Sequence, residues 1–177
     1  MEDLGGPRGR THQVRSHPSS ASILMVDDHP ANLLALEAAL APLGQRLVRA
    51  DSGEAALRAA LKEEFAAILL DVHMGGGIDG FETARLLKMR EQSKHTPILF
   101  LTGTVQDQSF LHRAYAHGAV DYLLKPFDPD VLLAKVRVFT DLYLLRSKCF
   151  TRSRSRYRSV KTRTFASSTS GSKGLSR

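Results

Sequence analysis

Short apolar runs alternate with longer segments of helical apolar spacing through the middle of the chain. Each run has four to six residues and is bounded by polar residues, glycine or proline. Runs of this kind are typical of strands that are buried on both faces of a sheet. They are predicted to be strands at 23–26, 46–50, 65–70, 97–101 and 120–124.

A segment with apolar residues at helical spacing follows each of these runs. Pro30 suits the first turn of the first predicted helix, and Ser52 is a typical capping residue for the second. Five strand–helix units favour the α/β class, with a parallel sheet covered by helices on both faces. The predicted helices cover 30–40, 52–61, 81–90, 106–116 and 128 to about 145.

The two ends of the chain differ in composition from this patterned middle. Residues 1–21 are rich in Gly, Pro, Ser and Arg, and they are predicted to be a disordered leader. Residues 147–177 contain nine Lys or Arg and no acidic residue, and they are predicted to be a basic, disordered tail. The domain between them, 22–146, holds 13 basic and 16 acidic residues, so the overall charge of +7 comes mainly from the tail.

Several classes of protein are disfavoured by composition alone. No run of about 18 apolar residues is present, so no membrane span is expected. The first residues lack the apolar stretch of a secretion signal, and the single cysteine, Cys149, excludes an intrachain disulfide. These features together predict a cytoplasmic protein.

Polar residues that could bind ligands or take part in catalysis follow four of the five predicted strands. Asp27 and Asp28 follow the first strand, Asp71 the third, Thr102 the fourth and Lys125 the fifth. Parallel strands bring their carboxyl ends to one edge of the sheet, where ligands of such folds bind. Three carboxylates at one place repel each other, and a divalent cation such as Mg²⁺, which prefers oxygen ligands, would relieve that repulsion.

This set of residues fits phosphoryl transfer. Beside a metal ion, Asp71 could act as a nucleophile toward phosphorus, because carboxylates form aspartyl-phosphates in proteins. The metal and Lys125 would offset charge on the phosphoryl oxygens, and Thr102 could donate a hydrogen bond to the product.

Four short motifs, each at the end of a predicted strand, resemble the receiver domain of response regulators in two-component signalling. Each motif is weak alone, but their order and placement over 22–146 are specific. They are Met25-Val26-Asp27-Asp28, Leu69-Leu70-Asp71-Val72-His73-Met74, Phe100-Leu101-Thr102-Gly103 and Asp121-Tyr122-Leu123-Leu124-Lys125-Pro126-Phe127.

The resemblance implies a flavodoxin-like (βα)5 fold with strand order 2-1-3-4-5, like that of the chemotaxis receiver. It implies that Asp71 accepts the phosphoryl group and that Lys125 contacts it. It also implies that Asp27, Asp28, Asp71 and the backbone carbonyl of His73 bind Mg²⁺.

The same resemblance implies a switch and its partners. Thr102 and Tyr122 correspond to the residues that rearrange when the family is phosphorylated. A histidine kinase or phosphotransfer protein would supply the phosphoryl group. The output partner would bind the face made by the fourth helix, the fifth strand and the fifth helix. A homodimer is also compatible with the resemblance. Apart from self-catalysed phosphorylation and slow autodephosphorylation, no enzymatic activity is expected, and the chain could belong to a hybrid kinase architecture.

The stretch after Met74 departs from the family's usual pattern. It lacks the proline that usually follows and is one residue longer before Asp79 and Gly80. Three successive glycines, Gly75 to Gly77, cost conformational entropy when they are ordered. We therefore expect a loop of unusual shape, which affects the placement of the His73 carbonyl.

Three other functions fit parts of the sequence. An aspartate-nucleophile phosphatase also uses Mg²⁺ and strand-end carboxylates, but its nucleophile lies on the first strand with a second Asp two residues later. A flavodoxin-like cofactor binder would need a phosphate-cradling loop where the acidic Asp27 and Asp28 stand. A nucleic-acid binder could act through the basic residues of 147–177, with affinity that falls as salt rises.

Overall fold

The computed structural model describes residues 20–103, 116 and 118–167, with side chains up to residue 149. Five parallel strands form one sheet in the order β2-β1-β3-β4-β5, as predicted. The strands are β1 (Ser22–Val26), β2 (Arg46–Ala50), β3 (Ala67–Asp71), β4 (Ile98–Thr102) and β5 (Ala119–Leu124).

Helices lie on both faces of the sheet. They are α1 (Pro30–Leu40), followed by a short 3-10 helix (Ala41–Leu43), then α2 (Gly53–Lys62), α3 (Gly80–Lys88) and the C-terminal helix (Pro129–Ser167). The helix predicted over 106–116 lies outside the described residues, apart from residue 116, and so does the predicted leader up to residue 19. No helix in the described part of the chain combines the length and the apolar character that a membrane crossing requires.

The central strands are buried on both faces, which explains their unbroken apolar runs. One face of the sheet, with Leu70 and Phe100, packs against α2 and α3. The other face, with Met25 and Leu99, packs against α1 and the C-terminal helix through residues such as Leu132. Buried polar side chains lie at the carboxyl ends of three of these strands, with Asp27 directly after β1, Asp71 at the end of β3 and Thr102 at the end of β4.

Two capping residues set where α2 and α3 begin. Ser52 accepts a hydrogen bond from the backbone N–H of Ala55 at 3.2 Å, which confirms the predicted cap. Asp79 accepts one from the backbone N–H of Glu82 at 2.7 Å and starts α3 at Gly80. Both bonds satisfy N–H groups that a helix leaves unpaired in its first turn.

The C-terminal helix corrects one sequence-based expectation. It continues to Ser167, whereas residues from 147 onward were predicted to be a disordered tail. The Ser- and Arg-rich composition suggested disorder, but neither Pro nor Gly occurs between residues 130 and 167, and arginine is a good helix former. Residues 168–177 lie outside the described residues.

Gly80 lets α3 begin directly against the end of β3. Its N–H donates to the Val72 carbonyl at 3.1 Å, and a Cβ added there would lie 2.2 Å from the Asp71 carbonyl oxygen. We expect Gly80→Ala to lower the free energy of unfolding by about 2–3 kcal/mol, because backbone would have to move. Urea denaturation measures this effect. Gly76→Ala is the matched control, with nothing within 4 Å of the added carbon, and equal losses in the two variants would contradict the account.

Candidate functional site

The predicted polar residues meet at the carboxyl edge of the three central strands. Asp27 and Asp28 follow β1, Asp71 ends β3, Thr102 ends β4, and Lys125 follows β5. The sequence-based prediction that the strand ends converge is confirmed for Asp27, Asp71 and Lys125 by the ion pairs described next.

Asp27 is a fully buried carboxylate held by three neighbours. The side-chain amide of Asn32 donates to both of its oxygens, at 2.9 and 3.0 Å. The backbone N–H of His29 donates to Oδ1 at 2.9 Å, and the Lys125 ammonium donates to Oδ2 at 2.6 Å. These bonds fix the orientation of Asp27 and offset the cost of burying its charge.

Lys125 joins this carboxylate to a second one. Its Nζ atom lies 3.1 Å from Oδ1 of Asp71 as well as 2.6 Å from Asp27. Its backbone N–H donates to the Thr102 carbonyl at 2.7 Å, and the peptide bond to Pro126 is cis. One ammonium therefore serves two buried carboxylates that come from strands far apart in the sequence.

Asp71 is 5% exposed, and its environment disfavours the charged form. Burial raises the pKa of Asp71 above the usual range for aspartate, and the negative charge of Asp27 adds to this effect. The Lys125 ammonium and the backbone N–H of His73 lower the pKa but do not outweigh burial. Additional positive charge at this edge would favour the ionised, nucleophilic form.

Asp28 stands at the rim of the site, where it is more exposed. The backbone N–H of Gly75 donates to its Oδ2 at 2.7 Å, and the His29 ring lies 2.7 Å from its Oδ1. The Gly75 hydrogen bond is the main cause of the lowered pKa of Asp28, with a further contribution from His29. Asp28 is therefore a charged acceptor beside the buried pair.

The donor set fits Mg²⁺. Ligand atoms of Asp27, Asp28 and His29 lie within 4.8 Å of one another. Asp71 is next to this group, since Lys125 Nζ lies 3.1 Å from Asp71 and 2.6 Å from Asp27. Three carboxylates faced by one lysine leave an excess of negative charge at a site made of hard oxygen ligands, which a small divalent cation prefers. The His29 imidazole is 69% exposed and fits better as a hydrogen-bond partner of Asp28.

The two predicted switch residues occupy the expected positions in the sheet. Thr102 is fully buried at the end of β4. Tyr122 lies opposite Phe100 in the pairing of β4 with β5 and packs, half-buried, against the core on the α2 and α3 side. Their roles in a switch stay predictions, as does metal binding by the His73 carbonyl.

The glycine-rich loop is anchored at both of its ends. Gly75 donates to Asp28, and the backbone N–H of Ile78 donates to Oε1 of Glu54 in α2 at 3.3 Å. Gly77 has φ of +79°, and a Cβ there would lie 2.4 Å from the same Glu54 oxygen. Glycine at this position allows the longer loop to turn back against α2 while Gly75 stays at the site.

Two contributors to the site were not predicted from the sequence. Asn32 lies in the first turn of α1, which places its amide over Asp27, and Gly75 acts through its backbone. Asp51 also follows a strand, but β2 is at the edge of the sheet and Asp51 is exposed.

Comparison with known protein families gives a match over residues 23–137 to the response regulator receiver domain. The chain is 33% identical over 148 residues to the sensor histidine kinase GacS of Pseudomonas protegens, covering 81% of this chain and 16% of that protein. It is 37% identical over 126 residues to the response regulator PleD of Caulobacter vibrioides, covering 71% of this chain and 27% of that one.

Solved structures show the same similarity in three dimensions. The chemotaxis protein CheY4 of Vibrio cholerae superimposes with a TM-score of 0.63 at 33% identity, over 68% of this chain and 99% of that one. The receiver domain of the sensor histidine kinase PA1611 of Pseudomonas aeruginosa has a TM-score of 0.63 at 30% identity, over 70% and 99% of the two chains. That structure has a magnesium ion coordinated in its active-site cleft.

Proposed function

This chain belongs to the response regulator receiver family of two-component signalling, and we propose that it takes a phosphoryl group onto Asp71 in a Mg²⁺-dependent step that switches its binding to a partner. The observation that carries the proposal is the Lys125 ammonium between buried Asp27 and Asp71, with charged Asp28 at the rim. Carboxylates arranged in this way favour the binding of a divalent cation beside one carboxylate that can attack phosphorus.

The transfer exchanges one bond to phosphorus for another. An Asp71 oxygen bonds to phosphorus while the bond between phosphorus and the donor's histidine nitrogen breaks, and the imidazole leaves with that electron pair. Lys125 is placed to neutralise charge at Asp71, and Asn32 with Lys125 holds Asp27 in position. Mg²⁺ bound by Asp27, Asp28, Asp71 and the His73 carbonyl would supply further positive charge to the phosphoryl oxygens.

Phosphorylation would then act as a local charge change with a distant effect. It adds about two negative charges and three acceptor oxygens at pH 7. Thr102, at the end of β4, would donate to the new oxygens, and the neighbouring Lys125 would turn toward them. Tyr122 would follow Thr102, which changes the face made by β5 and the C-terminal helix.

The donor is a histidine kinase or a phosphotransfer protein, in keeping with the relatives that this receiver resembles. The chain spans less than a third of the length of the GacS and PleD proteins. The output activity and the domain organisation of those proteins are therefore not assigned to this chain. The same proposal holds that the protein is cytoplasmic and that it does not turn over other phosphate esters.

Intact-mass measurement with acetyl phosphate tests this function. In Mg²⁺ the full chain is expected to gain the mass of one phosphoryl group, and in EDTA it is expected to gain none. Both outcomes follow from the excess of carboxylate charge over Lys125 at the site. Equal labelling with and without the metal ion would contradict the Mg²⁺ requirement, and sustained hydrolysis of p-nitrophenyl phosphate would favour a phosphatase.

A further inference from the structure

The glycine-rich loop between β3 and α3 depends on neighbouring elements for its position. Gly75, Gly76 and Gly77 are all exposed, so burial does not hold this stretch in place. Glycines have no side chains to anchor the loop, and ordering three of them in a row is entropically costly. The path of the loop is therefore set by the contacts at its two ends.

Glu54, in the first turn of α2, holds the far end of the loop. Its Oε1 atom accepts a hydrogen bond from the backbone N–H of Ile78 at 3.3 Å. The backbone of Gly77 runs against the same carboxylate, because a Cβ there would lie 2.4 Å from Oε1. The Ile78 side chain also packs on Gly53, where a Cβ would lie 2.6 Å from Ile78 Cγ1. One polar and one apolar contact thus attach the loop to α2.

The near end of the loop meets the acidic site. The backbone N–H of Gly75 donates to Oδ2 of Asp28 at 2.7 Å, and Asp28 is one of the predicted Mg²⁺ ligands. His73, whose carbonyl is another predicted ligand, comes two residues earlier in the chain. Only two residues separate Gly75 from Ile78, so release of Ile78 from α2 would also loosen Gly75 at the site.

Mg²⁺ and Ca²⁺ respond differently to ligands that are loosely held. Mg²⁺ requires short bonds in a nearly octahedral arrangement, whereas Ca²⁺ accepts longer bonds and irregular arrangements of oxygen ligands. A loop that fixes Asp28 and the His73 carbonyl therefore favours Mg²⁺. When the loop is loosened, the affinity for Mg²⁺ should fall more than the affinity for Ca²⁺.

We propose that Glu54 is a positioning residue that sets the affinity of the acidic site for Mg²⁺ and its preference for Mg²⁺ over Ca²⁺. It acts through the loop and not as a ligand. Within the described part of the chain, the side chains grouped closely enough to hold a metal ion are Asp27, Asp28 and His29. The inference rests on the proposed function, because it concerns the metal ion that phosphoryl transfer to Asp71 would use.

Metal titrations of the full chain test this role without a phosphoryl donor. The probe is Mg²⁺ or Ca²⁺ alone, followed through the amide resonance of Gly75 in ¹⁵N-labelled protein. Glu54→Ala removes the acceptor of the Ile78 N–H. It is expected to raise the Mg²⁺ dissociation constant about tenfold and the Ca²⁺ constant less than about threefold. A general loss of stability would not change the ratio of the two constants.

Glu54→Gln separates the hydrogen bond from the charge. The amide oxygen of glutamine can still accept from the Ile78 N–H, so both constants are expected to stay within about twofold of those of the unchanged protein. Equal losses in the Gln and Ala variants would show that the charge of Glu54 acts on the ion through space, which would overturn the positioning role. Glu64→Ala is the matched control, because it removes an exposed glutamate just after α2 and should change neither constant.

Gly77→Ala tests the same contact from the side of the loop. The added Cβ would meet Glu54 Oε1, and the φ of +79° disfavours alanine, so the loop has to move away from α2. A loss of Mg²⁺ affinity like that of Glu54→Ala is expected. The two changes together should cost less than the sum of their separate effects, because both break one contact. Gly76→Ala is the control, with nothing within 4 Å of the added carbon.

Two results would overturn this inference and leave the proposed function standing. One is a Glu54→Ala protein whose Mg²⁺ and Ca²⁺ constants change by the same factor or stay the same. The other is full additivity of Glu54→Ala and Gly77→Ala. An unchanged protein that binds no Mg²⁺ would overturn both proposals. A protein that shows the expected Glu54 effects but accepts no phosphoryl group on Asp71 would overturn the proposed function only.

Discussion

Replacing Asp71 by asparagine is expected to abolish the gain of one phosphoryl mass in acetyl phosphate and Mg²⁺. An amide is a poor nucleophile toward phosphorus, and it removes one of the negative charges that would hold the metal ion. The side chains are nearly equal in size, so the buried site keeps its shape. Intact-mass spectrometry of the two proteins under the same conditions measures the effect.

Asp51→Asn provides the matched control for this loss. Asp51 also follows a parallel strand, but β2 is at the edge of the sheet and Asp51 is exposed. The control is expected to be labelled like the unchanged protein. Full, stable labelling of the Asp71→Asn protein would show that another residue accepts the phosphoryl group.

The same variant has an expected effect on stability, with a definite dependence on pH. Burial raises the folded-state pKa of Asp71, so protonated Asp71 favours folding below the usual aspartate pKa. That contribution is lost as pH rises from the usual value through the raised one, and the ionised group then destabilises the fold. In EDTA at neutral pH, Asp71→Asn should therefore unfold at a higher temperature, and the difference should disappear in acid.

Lys125→Met is expected to produce the second large effect, a loss of stability in EDTA. It removes the ammonium that bonds fully buried Asp27 and nearly buried Asp71, which leaves two carboxylates facing each other. Removing one partner of a buried ion pair is costly, and we expect the free energy of unfolding to fall by about 2–3 kcal/mol. Mg²⁺ should recover part of the loss. Urea denaturation with and without the metal ion measures both.

Lys135→Met is the control for lysine removal in general. Lys135 pairs with Asp121 at a more exposed place, and such pairs contribute less than about 1 kcal/mol. An equal loss in the two variants, or no loss in Lys125→Met, would contradict the assignment of Lys125 as the cation that holds the site together.

The fold was predictable because its strongest signals are local. Strands such as β3 are buried on both faces, so they read as apolar runs, and the polar residue that ends each run stands out. Once the strands are parallel, Asp27, Asp71 and Lys125 must approach one another, whatever lies between them in the sequence. The receiver motifs then added the strand order.

Other parts of the site depend on contacts that cannot be predicted from the type of residue. Asn32 is an ordinary helix residue until α1 is placed over Asp27, and Gly75 contributes only a backbone N–H. The loop from Gly75 to Gly77 departs from the family pattern, and its path was visible only through its bonds to Asp28 and Glu54. The C-terminal helix was missed beyond residue 146 because its apolar pattern ends there although nothing breaks the helix.

Locating the phosphoryl group on the labelled protein tests the central claim most directly. Borohydride reduces an aspartyl-phosphate to homoserine, which peptide mass spectrometry can assign to one position. The account predicts homoserine at position 71 and unchanged aspartate at positions 27 and 28. Homoserine at either of those positions, or a labelled chain with no homoserine at all, would contradict it.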